Sequence, residues 1–156
     1  MKLWRIATET RNYAADDLSG MGAARNPGRW NQETEAVVYT APTIAMAVLE
    51  TAAHISEGGL PLNRFLVEID VPEPVWRSRA FTVPGELPTA WCAIPAGRAS
   101  VAVGSHWLRQ GRTAILVVPS VVVPEEGVTL INPSHGDTRQ FKVRVLRQFH
   151  YNRLFR

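Results

Sequence analysis

Four side chains of types that do chemistry occur early in the chain: Arg5, Arg29, Tyr39 and Glu50. Arginine forks grip phosphate or carboxylate in a bidentate way, which points to a phosphate-bearing partner. A tyrosine ring can stack on a flat heterocycle, and a carboxylate stabilises positive charge as it develops. Each residue also has an ordinary structural reading. Arg5 reads as a solvated strand residue, Tyr39 as a half-buried core aromatic, and Glu50 as an exposed helix residue beside His54, one turn on. Arginine supplies all the basic side chains except Lys2 and Lys142, a bias that a G+C-rich genome would also produce.

Other chemistries find less support. His54, His106, His135 and His150 are not at ligand spacing with one another, and one cysteine cannot build a thiolate cluster, so no metal site is expected. Cys92 sits among Trp91, Ala93 and Ile94 and reads as a buried, inert thiol. Gly20, Gly22 and Gly28 are not followed by the Lys-Ser or Lys-Thr of a phosphate-binding loop.

The elements that would position the four residues follow from periodicity. Leu3 to Ala7 alternates as a strand, with Leu3, Arg5 and Ala7 on one side and Trp4 and Ile6 on the other. A Gly/Asn/Pro-rich loop from Ser19 to Asn31 carries Arg25 and Arg29. Ala36 to Thr40 is a second strand, and Thr43 is the expected N-cap of a helix from Ile44 to about Glu57, closed by Gly58-Gly59. Its apolar stripe is Ile44, Ala47, Val48, Ala52 and Ile55. That places Glu50 and His54 about 100° or more from the stripe centre, at the edge of the buried face or beyond it.

Arg64 to Val71 alternates, with Phe65, Val67, Ile69 and Val71 inward. Pro72 to Pro95 reads as irregular, with Trp76 and Trp91 packing. Ala99 to Gln110 is predicted helical, with Val101 and Leu108 inside and Gly111 closing it. Ala114 to Val118 has the continuous apolar character of a central strand. Pro119-Ser120 interrupts it before Val121 to Val123 resume. Val128 to Ile131 and Phe141 to Phe149 are further strands around an Asn132-to-Asp137 turn, in which Asn132 and His135 read as turn-formers. The expected fold is α+β, a single mixed, mostly β domain over residues 1–156 with two main helices.

Composition bounds the setting. The 156 residues suit one domain with its own core. One cysteine permits no intrachain disulfide and fits a reducing compartment. No export signal or membrane-spanning apolar run is recognised, so a cytoplasmic protein without a membrane partner is expected. The arginines are scattered rather than massed in a stripe, which speaks against direct nucleic-acid binding.

The ordered set Leu3-Trp4-Arg5-Ile6, Gly28-Arg29-Trp30-Asn31, Val38-Tyr39-Thr40-Ala41 and Ala47 to Glu50 resembles the RES domain family. The resemblance continues through Trp107, Val118-Pro119-Ser120 and Asn132-Pro133, and so covers nearly the whole chain. The family is named for an arginine, a glutamate and a serine. Glu50 matches the glutamate and Ser120 the serine, while Arg5 and Arg29 are alternatives for the arginine, and both are carried. Ser120 has its own ordinary reading, a hydroxyl that caps a bend.

The resemblance implies an ADP-ribosyltransferase-like fold and the toxin of a type II toxin–antitoxin pair, which depletes NAD and is neutralised by an Xre-type helix-turn-helix antitoxin. On that basis Glu50, Tyr39 and Arg5 are the catalytic candidates, Arg29 and Ser120 the substrate-binding ones. Cleavage of the nicotinamide–ribose bond passes through an oxocarbenium-like state that Glu50 would stabilise through the ribose hydroxyls. Tyr39 would stack on nicotinamide, the arginines would hold pyrophosphate or incoming inorganic phosphate, and Ser120 would orient Glu50 or bind the ribose. NAD is then the substrate, phosphate a co-substrate, and no cofactor is needed.

Phosphate is the preferred acceptor, then water, then a protein side chain. An RNA-targeting toxin, suggested by the pI of about 9.5, lacks a plausible His–His or His–Glu pair for RNA chemistry, and its aromatics are not interleaved with its basic residues. A binding module without chemistry would be expected to have lost Arg5, Tyr39 or Glu50. Monomer and homodimer both stay open.

Overall fold

In the computed structural model, residues 1–55 and 62–151 are described. The chain runs β1 (Lys2–Thr8), α1 (Met21–Arg25), β2 (Val38–Thr40), α2 (Ile44–Ala52), β3 (Arg64–Asp70), α3 (Glu73–Arg77), β4 (Ala80–Phe81), α4 (Arg98–Gln110), β5 (Ile115–Pro119), β6 (Gly127–Ile131) and β7 (Lys142–Phe149). This is the expected α+β architecture. Its strands form two sheets, one ordered β1-β3-β7 and the other β2-β6-β5-β4. All pairings are antiparallel except β4 with β5.

The sheets meet face to face. Leu3, Ala7, Val67 and Ile69 of the first pack with Val38, Ile115 and Ile131 of the second. Each fully buried aliphatic side chain contributes roughly 1.5–3 kcal/mol. The outer face of the first sheet offers Ile6 and Leu66 to Met46 and Ala47 of α2. The outer face of the second offers Leu116, Val118 and Leu130 to Trp30, Trp91 and Trp107, the last from α4. One edge joins the sheets: Trp4 and Ala41 exchange both backbone hydrogen bonds at 2.8 Å. That seam sets Arg5 and the start of α2 on neighbouring stretches of backbone.

Several sequence expectations need correction. Strand β3 is buried on both faces: the second sheet covers Val67 and Ile69, α2 covers Leu66, and Lys2 and Arg144 bond to the Glu68 carboxylate. Helix α4 packs through Ser100, Gly104, Ser105 and Trp107, with Val101 only half-buried. A Cβ on Gly104 would lie 1.8 Å from the Trp30 carbonyl oxygen, so close approach selected small residues that hydrophobic periodicity does not register. The Val121–Val123 strand is a bend. Pro72 to Pro95 contains α3, β4 and a short 3-10 turn at Pro84–Glu86, and the Ser19–Asn31 loop contains α1. Cys92 is exposed. The predicted end of α2 near Glu57 and its Gly58-Gly59 stop lie outside the described residues; within the described ones α2 runs to Ala52 with Ala53 as its C-cap. Gly111 closes α4 as expected, at φ 57°. No helix among the described residues is long and apolar enough to cross a membrane.

Candidate active site

Helix α2 begins at Thr43, whose side-chain oxygen accepts from the Met46 N–H at 3.1 Å. Its buried residues are Met46 and Ala47, while Ile44 is exposed. At 100° per residue Glu50 then projects about 40° from Met46 and about 60° from Ala47. The buried face is therefore rotated toward Glu50, and the sequence-derived position off the stripe is corrected. The stripe misled because Met46 contacts the sheet where Ile44 was expected to.

Ser120 follows β5 directly and has no exposed surface. Its N–H donates to the Glu126 carbonyl at 2.8 Å, and its hydroxyl oxygen accepts from the Val122 and Val123 N–H groups, both at 3.0 Å. With both lone pairs engaged, the hydroxyl proton goes to Glu50 Oε1 in a short hydrogen bond. The bend-capping and glutamate-contacting readings of Ser120 both hold. Among the described residues none donates to Glu50 Oε2, which leaves that oxygen to meet a ligand hydroxyl.

The second part of the site is the Gly28–Asn31 loop. Arg29 Nη1 donates to the carbonyls of Trp91 and Ala93 at 2.9 and 2.8 Å, tying the loop to the 88–95 turn. The rings of Trp30 and Trp91 stack with centroids 6.2 Å apart. The Tyr39 hydroxyl donates to Asn31 Oδ1 at 2.8 Å and accepts from the Trp30 N–H at 3.0 Å. Its ring lies against Gly28, where a Cβ would stand 2.6 Å from the phenol oxygen. Burial pushes the Tyr39 phenol well above its ordinary value, so it stays protonated and keeps donating.

Arg5 forms a third part. It projects from the β1 face that carries Leu3 and Ala7, and Nη1 donates to the Asp17 carbonyl at 3.2 Å. Burial draws its guanidinium below the ordinary arginine value, an effect that Asp17 and Tyr13 oppose. The same loop lines a cavity of about 410 Å³ with Tyr13, Asp16, Asp17 and Arg25 among its walls. Two carboxylates there disfavour a phosphate-bearing ligand, and none of the five candidate residues lines it.

The five candidates thus fall into three groups: Glu50 with Ser120, Arg29 with Tyr39, and Arg5 alone. Among the described residues no hydrogen bond or ion pair links one group to another. Asn31 also belongs to this part of the site; in the sequence it stands only as the last residue of Gly28-Arg29-Trp30-Asn31, and its complete burial is visible in the structure alone. Asn132 and His135 act as turn-formers, accepting from the Ser134 and Asp137 N–H groups.

Comparison with known proteins places the chain in a family. The RES domain matches residues 2–153. A Prs ADP-ribosylating toxin of Sphingobium sp. (strain YBL2) is 54% identical over 149 residues, covering 96% of this chain and 92% of that one. The toxins named Res of Yersinia enterocolitica and Pseudomonas putida are each 33% identical, over 135 and 147 residues, covering 86% and 93% of both chains respectively. In fold, the chain matches the crystal structure of the Mycobacterium tuberculosis MbcT–MbcA toxin–antitoxin complex at a TM-score of 0.68 and 18% identity, over 99% of this chain and 86% of that one. The chain belongs to the RES domain family and is a RES domain toxin.

Proposed function

We propose that this toxin cleaves the nicotinamide–ribose bond of NAD and transfers the ADP-ribosyl group to a protein acceptor. The observation that carries the reading is a carboxylate on the inner face of α2, held at Oε1 by the buried Ser120 hydroxyl. Nicotinamide leaves as a neutral ring, so no strong acid is required. What the reaction needs is a fixed negative charge beside the ribose as it turns cationic. Glu50 Oε2 would accept from a ribose hydroxyl, and that hydrogen bond tightens as the oxocarbenium character grows. Ser120 fixes the rotamer of Glu50 in advance, so little reorganisation falls in the reacting step. Arg5 and Arg29 would hold the pyrophosphate, with Tyr39 beside the nicotinamide.

A protein acceptor is supported by the printed name of the relative that shares 54% of its residues with this chain. Phosphorolysis or hydrolysis is the second reading, favoured by two guanidinium groups able to bring an anion to the ribose. An unrestrained enzyme of this kind would kill its host. A cognate antitoxin is therefore part of the proposal, supported by the neighbour solved with its antitoxin; its Xre helix-turn-helix type is what the family resemblance implies. The cytoplasm, where NAD and both partners meet, is the proposed compartment.

Incubation with labelled NAD in a cell lysate, with and without inorganic phosphate, tests the reading. A labelled protein band is expected. ADP-ribose-1″-phosphate would shift the assignment to phosphorolysis, ADP-ribose at every phosphate concentration to hydrolysis, and intact NAD would overturn the proposal.

A further inference from the structure

Asn31 has no exposed surface, yet all its polar atoms are engaged. The two Nδ2 hydrogens serve three carbonyls, those of Ala23, Gln32 and Glu35 at 2.9, 3.1 and 3.0 Å, so that one hydrogen is shared. Oδ1 accepts from the Gly28 N–H at 2.9 Å and from the Tyr39 hydroxyl at 2.8 Å. Three acceptors on one side and two donors on the other fix the orientation of the amide. The contacts join α1, both ends of the arginine loop and β2. The two residues flanking Arg29 are caught in the same web: Gly28 by Oδ1, and Trp30 by the Tyr39 hydroxyl. A side chain reaching so many backbone groups pre-organises a loop that its glycine would otherwise leave free.

We infer that Asn31 is a positioning residue for substrate binding: it sets the backbone on which Arg29 is mounted and the phenol of Tyr39, without touching substrate. The inference rests on the NAD reading for its kinetic consequence but not for its structural one. If Asn31 acts through two binding groups, its loss raises KM for NAD more than it lowers kcat, because the Glu50–Ser120 pair is built on other elements.

Asn31→Asp is the sharpest variant. It preserves shape and Oδ1 but replaces the Nδ2 donors with an oxygen facing three carbonyls. Burial among acceptors raises the pKa of the introduced carboxyl, and its protonated form regains one donor. With NAD consumption measured from pH 5.5 to 8.5, KM should rise at least tenfold at pH 8 and recover toward the wild-type value at pH 5.5, with kcat changing less than threefold. Hydrogen exchange at the Gly28 and Trp30 amides should quicken at pH 8 while β1 and β3 stay protected.

A KM unchanged at pH 8, or a loss equal at every pH, would overturn the inference. If wild type leaves NAD intact, the NAD reading fails, and exchange at the two amides decides the inference separately: unchanged exchange overturns it. Should Asn31→Asp not fold, Tyr39→Phe serves in its place. It keeps the ring, deletes both phenol hydrogen bonds, and should raise KM and quicken Trp30 exchange; wild-type values for both would refute the positioning role.

Discussion

Glu50 and Ser120 are separated by 70 residues and meet through one hydrogen bond between side chains. Asn31 and Tyr39 are 8 residues apart and belong to a mesh of side-chain and backbone contacts that also holds Gly28 and Trp30. The first region depends on the docking of α2 against the first sheet and on the bend after β5. The second is a local knot, anchored at longer range by Arg29 on Trp91 and Ala93 and by the approach of Gly104 to Trp30. A single contact between distant elements concentrates chemistry in two atoms. A mesh spreads it, so the two regions should fail differently.

The largest contrast comes from Glu50→Ala. Removing the charge that faces the ribose should lower turnover by roughly 100-fold to 1,000-fold, the scale for deleting one transition-state partner. The melting temperature should shift little, because a half-exposed helix residue is lost, at about 1 kcal/mol. A single-turnover assay on NAD beside a thermal melt checks both, and near-normal turnover would remove Glu50 from the mechanism.

Arg5→Lys and Arg29→Lys come next. Each keeps charge and loses the fork, so kcat/KM should fall about tenfold or more, roughly 1.4 kcal/mol. Arg29→Lys should also loosen the 88–95 turn, visible as Trp91 fluorescence, whereas Arg5→Lys should leave that signal unchanged. Kinetics at wild-type level in both variants would mean that neither arginine grips NAD.

Ser120→Ala strands the Val122 and Val123 N–H groups and frees Glu50. These N–H groups are only partly buried and can turn to water, so the loss costs about 1 kcal/mol, the low end of the range for a stranded donor. Turnover should drop about tenfold, near 1.4 kcal/mol, with KM unchanged, opposite to the split expected at Asn31. A KM effect at Ser120 would place its hydroxyl on the substrate instead.

The smallest effect lies away from both regions. Hydrogen bonds from Lys2 and Arg144 hold the Glu68 carboxyl below the usual range. Its folded pKa is depressed, so its contribution is full above the ordinary glutamate value of about 4.3 and is lost as pH falls through the depressed one. Glu68→Gln should therefore flatten the acid limb of a stability–pH curve and leave NAD turnover at neutral pH unchanged. An acid limb identical to wild type would show that the pair does not set acid stability.

The sequence by itself determined β1, β2, β3, β5, β6 and β7, the two longer helices, the Thr43 cap and the Gly111 stop, since these follow from periodicity and local backbone chemistry; the two-residue β4 it did not show. It also carried the identities of the five candidates through an ordered set of short motifs, and the turn roles of Asn132 and His135 through local hydrogen-bonding habit. The tertiary structure decided which face of α2 is buried. Met46 reaches the sheet only because Trp4 and Ala41 bring β1 beside the start of the helix. It decided that Glu50 meets Ser120, a contact with no trace in spacing, and that Gly104 rather than Val101 packs α4. It turned Val121 to Val123 from strand to bend, because the Ser120 hydroxyl takes two N–H groups that a strand would have used. It also left Cys92 outside an otherwise packed tryptophan turn. Local propensity depends on neighbours a few residues away, while burial depends on what arrives from elsewhere in the chain, and that is settled only when the sheets close on each other.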